Sequence, residues 1–202
     1  MSKGLIIVIS GPAGSGKGTV IKLLREMIPS LEVSVSATTR EPRPGEVEGV
    51  HYYYVTKERF EEMISTGEIL EHTYYCDNYY GTPKSELERL SSAGRDVILE
   101  IDVNGAMQVK KLFPDSIAVM LTPPDAKTLE KRLRGRGTET EEVIRRRLER
   151  AREELELLHE YDYVAINNDG KADECAELLR GMIEAERVRP SKMTDFAKRF
   201  FE

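Results

Sequence analysis

Cysteine is scarce in this sequence. The chain of 202 residues has two, Cys76 and Cys175, far apart and outside any C-x-x-C or histidine-rich pattern. That excludes a disulfide framework and argues against a zinc site, so two reduced thiols are expected. Positive charge is also short, with 30 Lys and Arg against 36 Asp and Glu and a net charge of −6. No global field exists to hold DNA or RNA, and any recognition of phosphate must be local. There is no apolar run of membrane-spanning length, no internal repeat and no low-complexity tract. The first strand begins by Leu5, which leaves no room for a signal peptide, so a soluble intracellular protein is expected. The length suits one sizeable core with excursions.

What is present begins near the N-terminus. Leu5-Ile6-Ile7-Val8-Ile9 is a mostly β-branched apolar run ending at Ser10, the pattern of a strand buried on both faces. Directly behind it stands Gly11-Pro12-Ala13-Gly14-Ser15-Gly16-Lys17-Gly18-Thr19. Glycines let successive backbone N–H groups curl around an anion, and Lys17 adds a point charge. The helix predicted over 18–28, with Val20, Ile21, Leu23, Leu24 and Met27 in helical period and Pro29 as its stop, aims its positive end at the same spot. The pattern is G-x-x-x-x-G-K, a loop for a nucleotide triphosphate. It departs from the usual form at the next position, where a Ser or Thr hydroxyl commonly reaches Mg²⁺: here Gly18 stands, and the hydroxyl follows in Thr19.

Further on, alternation predicts a strand over 31–36, and the Pro- and charge-rich segment 37–46 reads as a loop carrying Arg40 and Arg43. A short strand over 52–55, a helix capped by Thr56 and closed by Gly67, and a strand over 69–75 follow. Residues 77–81 read as a turn, after which Thr82 caps a helix with Pro83 at its first position, ending at Gly94. The block 36–85 is thus a small α+β insertion, and it holds seven of the nine tyrosines. A buried strand over 96–102 turns acidic at its carboxyl end, where alternation puts Ile98, Glu100 and Asp102 on one face. Ligands of open α/β sheets bind outside the carboxyl ends of the strands, so these carboxylates stand where a phosphate-bound Mg²⁺ would be.

A helix over 104–112, a strand over 116–121 and a helix capped by Asp125 come next. From 132 to 152 there are eight arginines, interrupted by Gly135 and Gly137, which suggests a helix, a tip at 137–140 and a long second helix to about 160. On that helix Ile144, Leu148, Ala151, Leu155 and Leu158 form an apolar stripe. Arg146 and Arg150 are expected on the far side in water, with Glu142 and Glu154 as weak i,i+4 partners. Arg132 and Arg136, four apart beside the glycines, and Arg147, bordering the stripe, are the functional candidates. A last strand over 163–166, a helix over 171–187 with Leu178, Leu179, Met182 and Ile183 inward, and a short terminal helix from Ser191 complete the chain. Strands alternating with helices give an α/β fold: a doubly wound, mainly parallel sheet with two inserted excursions.

At Ser34-Val35-Ser36-Ala37-Thr38-Thr39-Arg40-x-x-Arg43-x-Gly45-Glu46, at Asn78-Tyr79-Tyr80-Gly81 and at Gly135-Arg136-Gly137-Thr138-Glu139-Thr140 the sequence resembles guanylate kinases, in the right order over essentially the whole chain. The resemblance implies a P-loop kinase fold in one domain over 1–202, with a core at 1–35, 86–125 and 150–202, a GMP-binding insertion at 36–85 and a helical lid at 126–149. It implies ATP-dependent phosphorylation of GMP, and of dGMP, to GDP in purine nucleotide metabolism in the cytoplasm, with Mg²⁺ as cofactor. It further implies that Gly11 to Thr19 and Asn167 hold ATP, Asn167 near adenine. Arg40, Arg43, Tyr52 and Tyr80 match residues that grip the GMP phosphate, and Ser36, Glu71 and Thr82 match those that read guanine. Glu100 and Asp102 match an acidic pair beside the phosphates and magnesium, Asp102 reaching the metal through water. Lys17, Arg132, Arg136 and Arg147 match the groups that serve phosphoryl transfer. Thr82 and Glu100 stand where relatives can carry Ser and Asp, and the Gly18-Thr19 pair suggests magnesium held largely through waters. A monomer or homodimer without nucleic-acid or membrane partners is expected. Two other readings are a kinase for another nucleoside monophosphate and a non-catalytic phosphopeptide-binding module. Guanylate-kinase-like modules of the second kind have an eroded phosphate loop, whereas Lys17 and the arginines are intact here.

Overall fold

The computed structural model describes residues 4–75, 77–135, 140–193, 196, 200 and 201. In chain order the elements are β1 (Ile6–Ser10), α1 (Lys17–Met27), β2 (Glu32–Val33), β3 (Ala37–Thr38), β4 (Tyr53–Tyr54), α2 (Lys57–Ser65), β5 (Ile69–Tyr75), β6 (Asn78–Pro83) and α3 (Lys84–Ser92), continuing with β7 (Val97–Glu100), α4 (Val103–Leu112), β8 (Ile117–Thr122), α5 (Ala126–Gly135), α6 (Glu141–Glu156), β9 (Tyr163–Ile166) and α7 (Ala172–Arg187).

Two sheets result. The larger has five strands in the order β2-β7-β1-β8-β9, every pair parallel. In its centre Ile7, Val8 and Ile9 are wholly buried. Because strand side chains alternate, Ile7 and Ile9 pack with Val20, Ile21 and Leu24 of α1 and with Leu179 and Ile183 of α7. Val8 packs on the other face with Leu87 and Leu90 of α3 and with Ala106 and Val109 of α4. From β1 the chain crosses to β2 on one side, and it later returns through β7 to β8 on the other, so the sheet order reverses at β1. Ligand sites of such sheets lie at that reversal. The smaller sheet, β4-β3-β6-β5, is antiparallel apart from the β3–β4 pair.

Several sequence expectations change. The strand expected over 31–36 is reduced to Glu32 and Val33, paired with β7, with the Ser34 N–H adding a bond to the Ile98 carbonyl. The supposed loop 37–46 begins with a real strand, since Ala37 and Thr38 pair with Gly81 and Tyr80. Residues 78–83 form β6 rather than a turn and a helix cap. The reversal is tight because Asp77 takes φ 61°, a left-handed conformation that Asp tolerates. Gly81 lets β6 lie close to its neighbour, as a Cβ there would sit 2.5 Å from the Glu71 carbonyl. Thr82 is therefore a wholly buried strand residue opposite Glu71.

β7 ends at Glu100, and Asp102 lies beyond it as the N-cap of α4, accepting from the Gly105 N–H at 2.8 Å. Asp102 thus does not share a strand face with Glu100. On α6 only Ile144 and Ala151 of the stripe are buried, with Leu148 partly so, packed on Leu129 and Leu133 of α5. Leu155 and Leu158 are exposed, as is Leu178 on α7. Cys175 is a free buried thiol, while Cys76 lies outside the described residues. So do Arg136 and most of the tip 137–140. Of the terminal helix, Pro190–Lys192 forms a single 3-10 turn and most residues beyond it are outside the description.

Candidate active site

A cleft of about 1150 Å³ opens between the phosphate loop, the small sheet and α6, lined among others by Lys17, Gly18, Ser36, Tyr52, Glu71, Tyr80, Glu100, Asp102, Arg147 and Arg150. At the phosphate loop, Gly11 takes φ 144° and Gly16 takes φ 92°. Added Cβ atoms would sit 2.1 Å from the Leu121 carbonyl and 2.4 Å from Asn167 Nδ2. Glycine is required at both for conformation and for space. Lys17 folds its Nζ back onto the loop, donating to the carbonyl of Gly11 at 2.7 Å.

Behind the loop, the Ser15 carbonyl accepts from Asn167 Nδ2 at 2.8 Å and from Arg132 Nη1 at 3.1 Å. Arg132 also donates to the Asn167 carbonyl at 2.8 Å and pairs with Asp169. Both side chains brace the loop from outside the cleft. Pro12 and Ser15 are buried, whereas Ala13 and Thr19 are exposed. Gly18 is unlike its neighbours: a Cβ there would meet nothing within 4 Å.

On the far wall, Glu71 is 2 % exposed, and its Oε1 accepts from the Thr82 hydroxyl at 2.7 Å. The β5–β6 register sets these two opposite each other. Loss of water, joined by the nearby Asp102 charge and opposed by the Thr82 hydroxyl, pushes the Glu71 carboxyl up to about 7. Ser36 lies on the same cleft lining. Glu100 is exposed to the cleft, yet neighbouring protein still removes enough water to raise its carboxyl; Lys17 opposes that rise.

Arg40 is held by Glu46 through a pair of bonds, Nη1 to Oε2 and Nη2 to Oε1, each 3.0 Å. Tyr54 donates to the same carboxylate at 2.8 Å, and so does the Arg43 backbone N–H. These donors lower Glu46 to about 2, with Arg40 the largest cause. Arg40 lies 5.4 Å from the Tyr52 ring, which meets Tyr80 edge-on at 6.1 Å. The Arg43 side chain is exposed and off the cleft lining.

Arg147 is half-buried on α6 and lines the cleft, while Arg136 is outside the described residues. Arg150, expected in water, is instead turned into the cleft. It donates to Asp102 Oδ2 at 3.1 Å and to Glu154 at 3.0 Å, with its guanidinium 5.3 Å from the Tyr75 ring. It thereby joins α6 to the cap of α4 and to β5. The signal was in the spacing, since 147, 150 and 154 fall on one helical face. Glu46 was visible in the motif but had no role until its bonds to Arg40 were seen. Among the described residues no cluster of three or more His, Cys, Asp or Glu could hold a metal by itself.

The family model for guanylate kinase matches residues 3–186. A guanylate kinase of Lactococcus lactis subsp. lactis is 49 % identical over 193 residues, 96 % of this chain and 93 % of that protein. One from Desulfitobacterium hafniense is 47 % identical over 92 % of each chain. The crystal structure of guanylate kinase from Anaplasma phagocytophilum superposes with a TM-score of 0.78 at 31 % identity, covering 98 % of this chain and 93 % of that one. With a parallel core sheet, an intact phosphate loop and relatives of this similarity over nearly its whole length, the chain belongs to the guanylate kinase family.

Proposed function

We propose that the protein transfers the terminal phosphoryl group of ATP to GMP, and to dGMP, giving ADP and GDP or dGDP. The observation that carries this reading is a carboxylate, Glu71, buried against Thr82 in the same cleft as the Lys17 loop. A carboxylate accepts from both N1–H and the exocyclic amine of guanine, whereas adenine turns an acceptor at N1 toward it. Sites built around such hydrogen bonds reject the analogue lacking them by about 10⁴-fold or more. Ser36 completes the base site in this reading.

The attacking group is an oxygen of the GMP phosphate, already ionised at neutral pH, so no general base is required. It forms a bond to the γ-phosphorus of ATP as the bond from that phosphorus to the β,γ-bridging oxygen breaks and ADP leaves. Catalysis then rests on in-line positioning and on cancelling charge. Arg40, Arg43, Tyr52 and Tyr80 position the acceptor phosphate, with Glu46 holding Arg40 in place. The loop 11–19 and Lys17 hold the donor phosphates. Arg132, Arg136 and Arg147 serve the transferring group and Asn167 contacts ATP near adenine in this reading, with Arg132 and Asn167 also bracing the Ser15 carbonyl of the loop. An arginine in that role is typically worth about 10³ in rate.

Magnesium fits the donor set, because this ion is commonly held by one or two carboxylates with substrate phosphates and water. Glu100 on the cleft lining and Asp102, reached through water, would hold it. When bound it neutralises charge on the β- and γ-phosphates. In this reading the core comprises 1–35, 86–125 and 150–202, the GMP insertion 36–85 and the lid 126–149, in a cytoplasmic enzyme with no nucleic-acid or membrane partner. The net charge of −6 is in keeping with that, and among the described residues no helix is long and apolar enough to cross a membrane.

The test is turnover of Mg-ATP with GMP, AMP, UMP and dTMP as acceptors. GMP should be preferred by orders of magnitude. Equal rates on AMP would remove the guanine assignment, and no turnover with any acceptor would favour the phosphopeptide-binding module.

A further inference from the structure

Gly105 sits in the first turn of α4, a position that backbone geometry does not reserve for glycine: its φ is not positive. Glycine in a helix is about 1 kcal/mol less favourable than alanine, so its presence needs another reason. A Cβ at Gly105 would lie 2.3 Å from Glu71 Oε2, 3.1 Å from Glu71 Cδ and 3.4 Å from Asp102 Oδ1. The helix glycines Gly18, Gly135 and Gly181 meet nothing within 4 Å. We propose that Gly105 determines acceptor specificity as a positioning residue: lacking a side chain, it lets α4 abut the Glu71 carboxylate and fixes the orientation in which that group accepts both guanine N–H donors.

The surroundings leave the clash no easy relief. Glu71 is buried, and Thr82 holds its other oxygen. The spacing between β5 and α4 is pinned by Gln108, which accepts from the His72 N–H at 3.3 Å and donates to the His72 carbonyl at 3.0 Å. The Gly105 N–H is itself committed to Asp102. A methyl group at 105 must therefore push the carboxylate, the one movable party, out of register with the base.

This inference rests on the GMP reading above. It is tested with Gly105→Ala, Glu71→Asp and the double variant, each assayed with GMP and with IMP, which lacks the exocyclic amine, and followed by thermal unfolding. Gly105→Ala should raise the KM for GMP at least tenfold while the KM for ATP stays within about twofold. It should also lower the preference for GMP over IMP severalfold. Shortening Glu71 relieves the clash, so the double variant should lose less than the product of the two single losses. If Gly105→Ala unfolds, recovery of stability by Glu71→Asp supports the clash and no recovery overturns it. A normal KM for GMP in Gly105→Ala, or strictly multiplicative losses, also overturns it, with wild-type GMP turnover leaving the functional reading intact. Wild type inactive on GMP removes both.

Discussion

A carboxyl group that keeps 2 % of its surface and has one hydroxyl for a partner has given up most of its hydration, and Glu71 holds its proton up to about pH 7 as a result. The folded protein binds that proton more tightly than the unfolded chain does. Stability from this group therefore falls as pH rises from about 4.5 to 7, and the full cost remains above 7. Glu71→Gln should be more stable than wild type at pH 8, by about 3 kcal/mol at most, with the gap closing toward pH 4.5, as thermal scans across pH will show. The same variant should lose at least about 100-fold in kcat/KM for GMP with the KM for ATP unchanged. Because guanine requires the ionised form, GMP affinity should weaken about tenfold per pH unit below 7, and binding at pH 7 should release protons, measured by calorimetry in buffers of different ionisation enthalpy. Arg150 enters here as a positioning residue. It offsets the Asp102 charge that raises Glu71, so Arg150→Ala should move the pH midpoint of GMP binding upward while Arg150→Lys leaves it close to wild type.

Helices α5 and α6 pack through a cluster of their own, Leu129, Leu133, Ile144 and Ala151 with Leu148, separate from the two clusters of the core sheet. A unit with its own small cluster is expected to open at a lower free energy than the core. Leu133→Ala, at a wholly buried position, should destabilise by about 2–4 kcal/mol, appearing as faster hydrogen exchange in 126–156 before the core sheet. It should also lower kcat more than it raises the KM for GMP. Elements with a local pattern were legible in the sequence: β1 from its apolar run, α1 and α2 from period and stop signals, β5 over its full length. β3 and β6 were not: the two residues of β3 are a strand only through their partners Gly81 and Tyr80, and β6 carries Asn78, Gly81 and Pro83, residue types that signal a turn rather than a strand. The turn expected over 77–81 is confined to its first residue, Asp77, with β6 beginning at Asn78. The phosphate loop was legible as chemistry. The residues proposed to read the base came only through family resemblance, since nothing local marks Glu71 as buried. Arg150 was misplaced because the apolar stripe marks only the face packed on α5, whereas the adjoining face with Arg147, Arg150 and Glu154 is covered by the cleft.

Across the molecule, a protein of net charge −6 keeps the cations in and beside its cleft matched in advance: Arg150 on Asp102 and Glu154 and Lys17 close to Glu100 on the lining, and Arg40 on Glu46 behind the Tyr52 ring. Arriving phosphates exchange partners with these groups, so affinity should depend less on salt than free arginines would make it. The first turn of α4 is where the exchanges meet. Asp102 caps it and takes Arg150 from α6, and Gly105 three residues on lies against Glu71. A party wall of this kind makes the two substrates accountable to each other. Whatever factor bound GMP adds to the affinity for a non-hydrolysable ATP analogue, the analogue must add to the affinity for GMP, since thermodynamic linkage allows no asymmetry. Calorimetric titrations in both orders should return one shared coupling factor of about 5 or more, and Asp102→Asn should bring it toward 1.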